Sequence, residues 1–218
     1  MSVIQSLVSI DTSLFVSING SHSLFWDGVM YAISGKFTWL PLYLSIVYLF
    51  VKQWKKEAIW LILSVGLCIL MADQVASGVI KNMVHRLRPS HLESLKSSIH
   101  LVNGYTGGLY GFVSSHASNS VGFAILTSLF FRQRYYTLMI SIWAFLVCYS
   151  RIYLGVHYPL DVIGGALVGG GAASICWYLV KLYRPSLFEN QAEINTTIPV
   201  TMVLLSCVII VTYSSFIF

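Results

Sequence analysis

An all-α fold that crosses a membrane several times is what this sequence predicts, and three observations carry the prediction. The 218 residues are 56% hydrophobic and only 10% charged. Mean hydropathy is +0.75. The apolar residues gather into runs close to the roughly 20 residues that a helix needs to span a hydrocarbon core of about 30 Å. Lipid, not water, is the solvent that suits such a chain. A membrane bilayer is therefore an expected partner, and nucleic acid is not.

Residues 1–35 are the weakest element. Ile4, Leu7, Val8, Ile10, Leu14 and Phe15 follow helical spacing but are interrupted by Asp11 and serines, which predicts an amphipathic helix lying along the interface. Its start lacks the positive region and small-residue cleavage site of a secretory signal, so it is expected to be retained. Asn19-Gly20 and Gly35 punctuate the segment, and Trp26, Tyr31 and Trp39 read as interfacial anchors. Six spans follow, at about 37–51, 58–80, 118–131, 135–149, 162–182 and 198–218. Cys68, Cys148, Cys176 and Cys207 all lie within apolar runs, without the spacing of a zinc site, and are expected to pack rather than bridge. No repeat or linker interrupts the chain, which predicts one domain over 1–218, with a core at 37–182 and a last span at 198–218.

Charge sets the orientation. Connections 82–117 and 150–161 share one side of the predicted bundle. With Lys81, Arg88 and Arg151 set aside, that side keeps Lys36, Arg86 and Lys96, whereas the other carries Lys52, Lys55, Lys56, Arg132, Arg134, Lys181 and Arg184. Cytoplasmic loops are the ones enriched in Lys and Arg. The long loop is thus expected to face outward, to the periplasm if the membrane is a bacterial inner membrane.

Ionisable side chains near a span are costly and usually functional, and three clusters fall on that outward side. In the first, Lys81 and Arg88 are seven residues apart, near one helix face and about 10 Å along it, so a bend near Pro89 would let both meet one anion. Headgroup snorkelling accounts for Arg86 and His85. The second cluster, Val113-Ser114-Ser115-His116, precedes a helix, where free N–H groups and hydroxyls can receive phosphate oxygens; simple capping by Ser114 or Ser115 is the ordinary alternative. In the third, Arg151 precedes His157 and Asp161, which are four apart. Asp161 could fix the His157 tautomer so that the other ring nitrogen is a nucleophile or base, or could merely cap the helix after Pro159. Asp73, deep in the second span, is expected to make a structural hydrogen bond. Gly164, Gly165, Gly169, Gly170 and Gly171 provide small-xxx-small spacings for close helix contact.

Taken in order, Lys81-x6-Arg88-Pro89, Ser114-Ser115-His116 and Ser150-Arg151-x5-His157-x3-Asp161 resemble the three-part signature of the type 2 phosphatidic acid phosphatase (PAP2) superfamily. The first and third parts match completely; in the second, Val113 and Ser115 stand where the family usually has proline and glycine. The resemblance implies a phosphatase in which His157 attacks phosphorus, Asp161 orients it, and His116 acts as general acid and then base. Lys81, Arg88, Ser114, Ser115 and Arg151 would hold the phosphate oxygens. No cofactor and no metal are implied.

A site at the end of membrane helices favours a phosphorylated membrane lipid as substrate. The compact chain and modest outer loop are similar to bacterial lipid A phosphatases, the favoured reading, and to small undecaprenyl diphosphate phosphatases. Phosphatidylglycerol phosphate and phosphatidic acid are further candidates. From other classes, a vanadium haloperoxidase would share the anion pocket but is soluble, and a non-catalytic lipid binder would have no use for both histidines.

Overall fold

The computed structural model describes residues 3–189 and 194–217. The first two residues of the expected interfacial segment and Phe218 of the expected last span lie outside it, and only the backbone of Ile4 is described. The chain is helical, as expected. It runs α1 (Val3–Gly20), α2 (Leu24–Ser34), α3 (Leu40–Trp54), α4 (Ala58–Asp73), a π-helical stretch (Gln74–Ile80), α5 (Lys81–Val84), α6 (Ser115–Phe131), α7 (Arg134–Tyr153), α8 (Pro159–Tyr183) and α9 (Thr197–Ile217).

Local chemistry sets the boundaries. The Ser23 side chain caps α2 by accepting from the Trp26 N–H, and Ser114 does the same for α6 through Ala117. Pro159 opens α8 at a position where a missing N–H costs nothing. A left-handed residue, Arg132, ends α6 and turns the chain directly into α7.

Helix α6 is the hub, packed against α4, α7 and α8, while α9 packs on α3 and α2. The α6–α8 contact is closest at two glycines. A Cβ on Gly165 would stand 2.3 Å from Ser114 O, and one on Gly169 would stand 2.1 Å from Ser118 O, so the predicted small-xxx-small seam exists and admits no side chain. The outer surfaces are apolar. Leu63 and Leu70 of α4, Leu167 of α8, and Val208 and Ile209 of α9 are exposed, as suits helices solvated by lipid.

Four helical stretches among the described residues are long and apolar enough to cross a membrane: Phe37–Val84, Arg134–Tyr153, Pro159–Tyr183 and Thr197–Ser215. The first contains α3 and α4 in succession. Helix α6, with 17 residues and a serine-rich first turn, falls short by this measure. The N-terminal segment is two helices. Helix α1 exposes Leu7, Ile10 and Leu14 yet buries Phe15, Asp11 and Asn19, and α2 buries Val29, Met30 and Ile33.

Candidate active site

At one end of the bundle, α5, the start of α6, the end of α7 and the segment leading into α8 converge on a cavity of about 610 Å³. Lys81, Arg88, Ser115, His116, Arg151 and His157 all line it. Residues from three separated stretches thus share one chamber at one end of the bundle.

His157 is 1% exposed. Its Nδ1 lies 3.3 Å from Asp161 Oδ2, and that same oxygen accepts the Tyr158 N–H at 3.0 Å. Asp161 therefore caps α8 and orients the imidazole at once, so the two readings of this residue were never exclusive. Burial, and after it the charges of Arg88, Arg151 and Lys81, hold the His157 pKa well below the usual imidazole value. That environment favours the neutral ring, which also hydrogen-bonds the Gly111 backbone.

Arg88 reaches the cavity by a different path from the one expected. Helix α5 stops at Val84, His85 takes the left-handed conformation (φ 52°), and residues 86–88 run extended. The Arg88 N–H donates to Leu109 O (3.1 Å) and the Gly111 N–H to Arg86 O (2.8 Å). The bend thus comes at His85 rather than near Pro89, and Lys81 and Arg88 do not share a helix face. The Arg88 side chain donates to Tyr110 O (3.1 Å) and Val156 O (3.3 Å). Burial and the neighbouring Arg151 lower its pKa from the ordinary guanidinium value. Gly111 permits this crossing, since a Cβ there would meet Asp161 Oδ2 at 2.8 Å and Arg88 Cγ at 3.3 Å.

Arg151, 2% exposed, donates to Ser34 Oγ and to Tyr105 Oη (3.1 Å). Its Nε is buried without a partner, a vacant donor of the kind an anion satisfies. Lys81 Nζ donates to Ser115 Oγ (2.8 Å), which also pairs with Ser77 Oγ (2.7 Å); the hydroxyl standing where the family usually has glycine thus steadies a cation. Ser114 is fully buried, and its Oγ caps α6, so of the two predicted serines only Ser115 lines the cavity. His116 also lines it, with Arg151, His157, Lys36 and Arg88 as its electrostatic neighbours.

Sequence reasoning misplaced Arg86. Instead of snorkelling, it bridges Asp161 Oδ1 (2.9 Å) and Asp11 Oδ2 (2.7 Å), with its guanidinium 4.0 Å from the centre of the Tyr158 ring. Asp11, read as an interruption of a greasy helix, is 2% exposed, and its other oxygen accepts the Leu160 N–H (2.9 Å). The overlooked signal was a lone acid in an apolar helix alongside a third arginine near Lys81. Ser34, Lys36 and Tyr105 were likewise not foreseen as cavity residues. Asp73 also departs from expectation: it lines the cavity and makes no side-chain hydrogen bond among the described residues, and its charge acts on Lys81.

The geometry offers a buried imidazole fixed by a carboxylate, a second imidazole, and four cations, Lys36, Lys81, Arg88 and Arg151, around one space. The sequence profile of the PAP2 superfamily matches residues 57–185. A lipid A 4'-phosphatase of Bacteroides thetaiotaomicron is 41% identical over 179 residues, covering 81% of this chain and 80% of that protein. One from Porphyromonas gingivalis is 39% identical over 166 residues, covering 76% and 70%. The crystal structure of Aquifex aeolicus LpxE superposes with a TM-score of 0.59 at 24% identity, covering 77% of this chain and 94% of that one.

Proposed function

The chain belongs to the PAP2 superfamily, and from that premise we propose that it is a membrane phosphatase acting on lipid A. The observation that carries the reading is the meeting of Lys81, Arg88, His116, Arg151 and His157 around one cavity in a chain 41% identical to a lipid A 4'-phosphatase over four-fifths of both lengths.

His157 attacks phosphorus through Nε2. The N–P bond forms as the P–O bond to the lipid breaks, and His116 delivers a proton to the departing oxygen. Asp161 stabilises the imidazolium that develops. Water then attacks the phosphohistidine: His116 takes its proton, the N–P bond breaks, and inorganic phosphate leaves. Lys81, Arg88 and Arg151 balance the charge spread over the equatorial oxygens, with Ser115 holding Lys81. Ser114 shapes the loop through its cap.

The protein works as one domain. Helices α3, α4, α6, α7, α8 and α9 cross the membrane, α1 and α2 rest at its outer interface, and the cavity mouth opens to the periplasm of a bacterial inner membrane. The cation bias of the opposite loops supports that orientation.

The test is a panel of lipid A, undecaprenyl diphosphate, phosphatidylglycerol phosphate and phosphatidic acid incubated with purified protein, with products weighed by mass spectrometry. Lipid A losing 80 Da fastest is the expected result, with no change in rate in EDTA. Faster turnover of undecaprenyl diphosphate would replace the substrate and leave the chemistry.

A further inference from the structure

Below the phosphate-binding level the cavity continues inward between α3, α4, α6 and α7, past Ile46, Phe50, Ile62 and Phe123. Its volume of about 610 Å³ lies within the roughly 300–1,000 Å³ typical of pockets that enclose a small ligand. Walls of this kind suit an alkyl chain. Three polar groups among them do not.

Asn119 Oδ1 and Trp143 Nε1 are buried without a hydrogen-bond partner, and Trp143 as a whole is 2% exposed. Asp73 is the third, and all three line the cavity. Their level is fixed by contacts between helices. Ser77 Oγ meets Ser115 Oγ (2.7 Å) and Ser118 Oγ donates to Ala72 O (3.3 Å) where the two helices run antiparallel, so Asp73 and Asn119, each four residues inward from Ser77 and Ser115, stand at a similar height. Asn119 is one helical turn, about 6 Å, deeper than Ser115. Trp143 meets Phe123 edge-on with ring centroids 5.8 Å apart, and Phe123 lies one turn below Asn119.

A saturated chain passing these groups would leave an indole donor and an amide oxygen unsatisfied beside the Asp73 carboxylate, whose charge is offset by Lys81, and buried polar groups are rarely left so. A hydroxyl satisfies both signs, since it donates to Asp73 or Asn119 Oδ1 and accepts from the Trp143 N–H. An amide N–H with its carbonyl does the same.

We propose that Asp73, Asn119 and Trp143 form a second recognition level for an acyl chain that carries a hydroxyl or amide group within one or two helical turns of the scissile phosphate. The inference rests on the lipid phosphatase reading and deepens it. The enzyme selects hydroxylated or amide-linked acyl chains over plain ester-linked ones because only the former occupy this level.

Full-length protein in detergent is offered two synthetic sugar 4-phosphates, one with an amide-linked hydroxylated acyl chain and the other with a plain ester-linked chain of the same length, and phosphate release gives kcat/KM for each. A site built to hydrogen-bond a hydroxyl discriminates against its absence strongly, so the hydroxylated lipid should be favoured about tenfold or more, chiefly in KM. In Trp143→Phe, which keeps the ring, and in Asp73→Asn and Asn119→Ala, the ratio should fall towards one. Equal hydrolysis of both lipids by the unaltered protein overturns the second level and leaves the phosphatase reading standing. A ratio unchanged in all three variants also overturns it. Hydrolysis of neither lipid overturns both.

Discussion

The two imidazoles stand on adjoining walls of one chamber, those of α6 and α8, and are held in opposite ways. On the α8 side, His157 is the end of a continuous chain of contacts: Nδ1 to Asp161, Asp161 to Arg86, Arg86 to Asp11, and Asp11 to the Leu160 N–H. On the α6 side, His116 makes no side-chain hydrogen bond among the described residues and is surrounded chiefly by cations. The contrast fits two different tasks. A nucleophile gains from a fixed ring and a fixed tautomer, whereas an acid-base group must take up and release a proton within one turnover.

The largest expected effect separates the two walls outright. His157→Ala should lower turnover by roughly 10⁴-fold or more, as loss of a covalent nucleophile does, and no phosphoenzyme should form. His116→Ala should cost about 10²–10⁴-fold on a lipid whose leaving oxygen needs a proton. With an aryl phosphate, whose leaving group departs unprotonated, it should give a burst and a trapped phosphohistidine detectable by phosphorus label. Phosphate release by His157→Ala at the parent rate would break the comparison.

Next comes the far end of the His157 chain. Arg86→Met leaves two buried carboxylates without their cation, so destabilisation of roughly 3 kcal/mol is expected, read as a lowered unfolding midpoint in detergent. Turnover should fall with little change in KM, because Arg86 acts on Asp161 and not on the lipid. Pairing the change with Asp11→Asn should recover part of the stability. No coupling between the two substitutions would cut the N-terminal helix out of the network.

The smallest effect is in pH. A His157 pKa held well below 6.5 keeps the ring neutral as pH falls through the ordinary imidazole range, so the acid limb of kcat/KM should begin below about pH 6. An ordinary histidine would lose nucleophile from 6.5 downward, about tenfold per unit. An acid limb centred at 6.5 would mean that the burial of His157 does not govern its proton.

Those same walls differ in how far the sequence disclosed them. His157, Asp161 and Arg151 fall within eleven residues, and their spacing follows from one turn and one helix start, so they could be read directly. Lys81, Arg88 and His116 were legible as motif members, but their meeting depended on turns that spacing does not encode. The left-handed His85 ends α5 four residues before Pro89, and the pairing of 86–88 with 109–111 does what a helix bend was expected to do. Arg86 and Asp11 lie 75 residues apart on elements that look interfacial, and local pattern cannot join them. Asn119 Oδ1 and Trp143 Nε1 are unpaired, a property that exists only once the surrounding helices are in place. Apolar runs located the helices well; α6 was the exception by length, because its first turn spends serines on a cap and on the site.

The glycine seam between α6 and α8 has a mechanical consequence. With carbonyl oxygens of one helix pressed on bare backbone of the other at Gly165 and Gly169, neither helix can slide or roll without colliding, so the wall bearing both histidines behaves as a single plate. Any widening that admits the lipid therefore falls to the side formed by α3, where Ile46 and Phe50 line the cavity through side chains alone, and the two histidines keep their spacing.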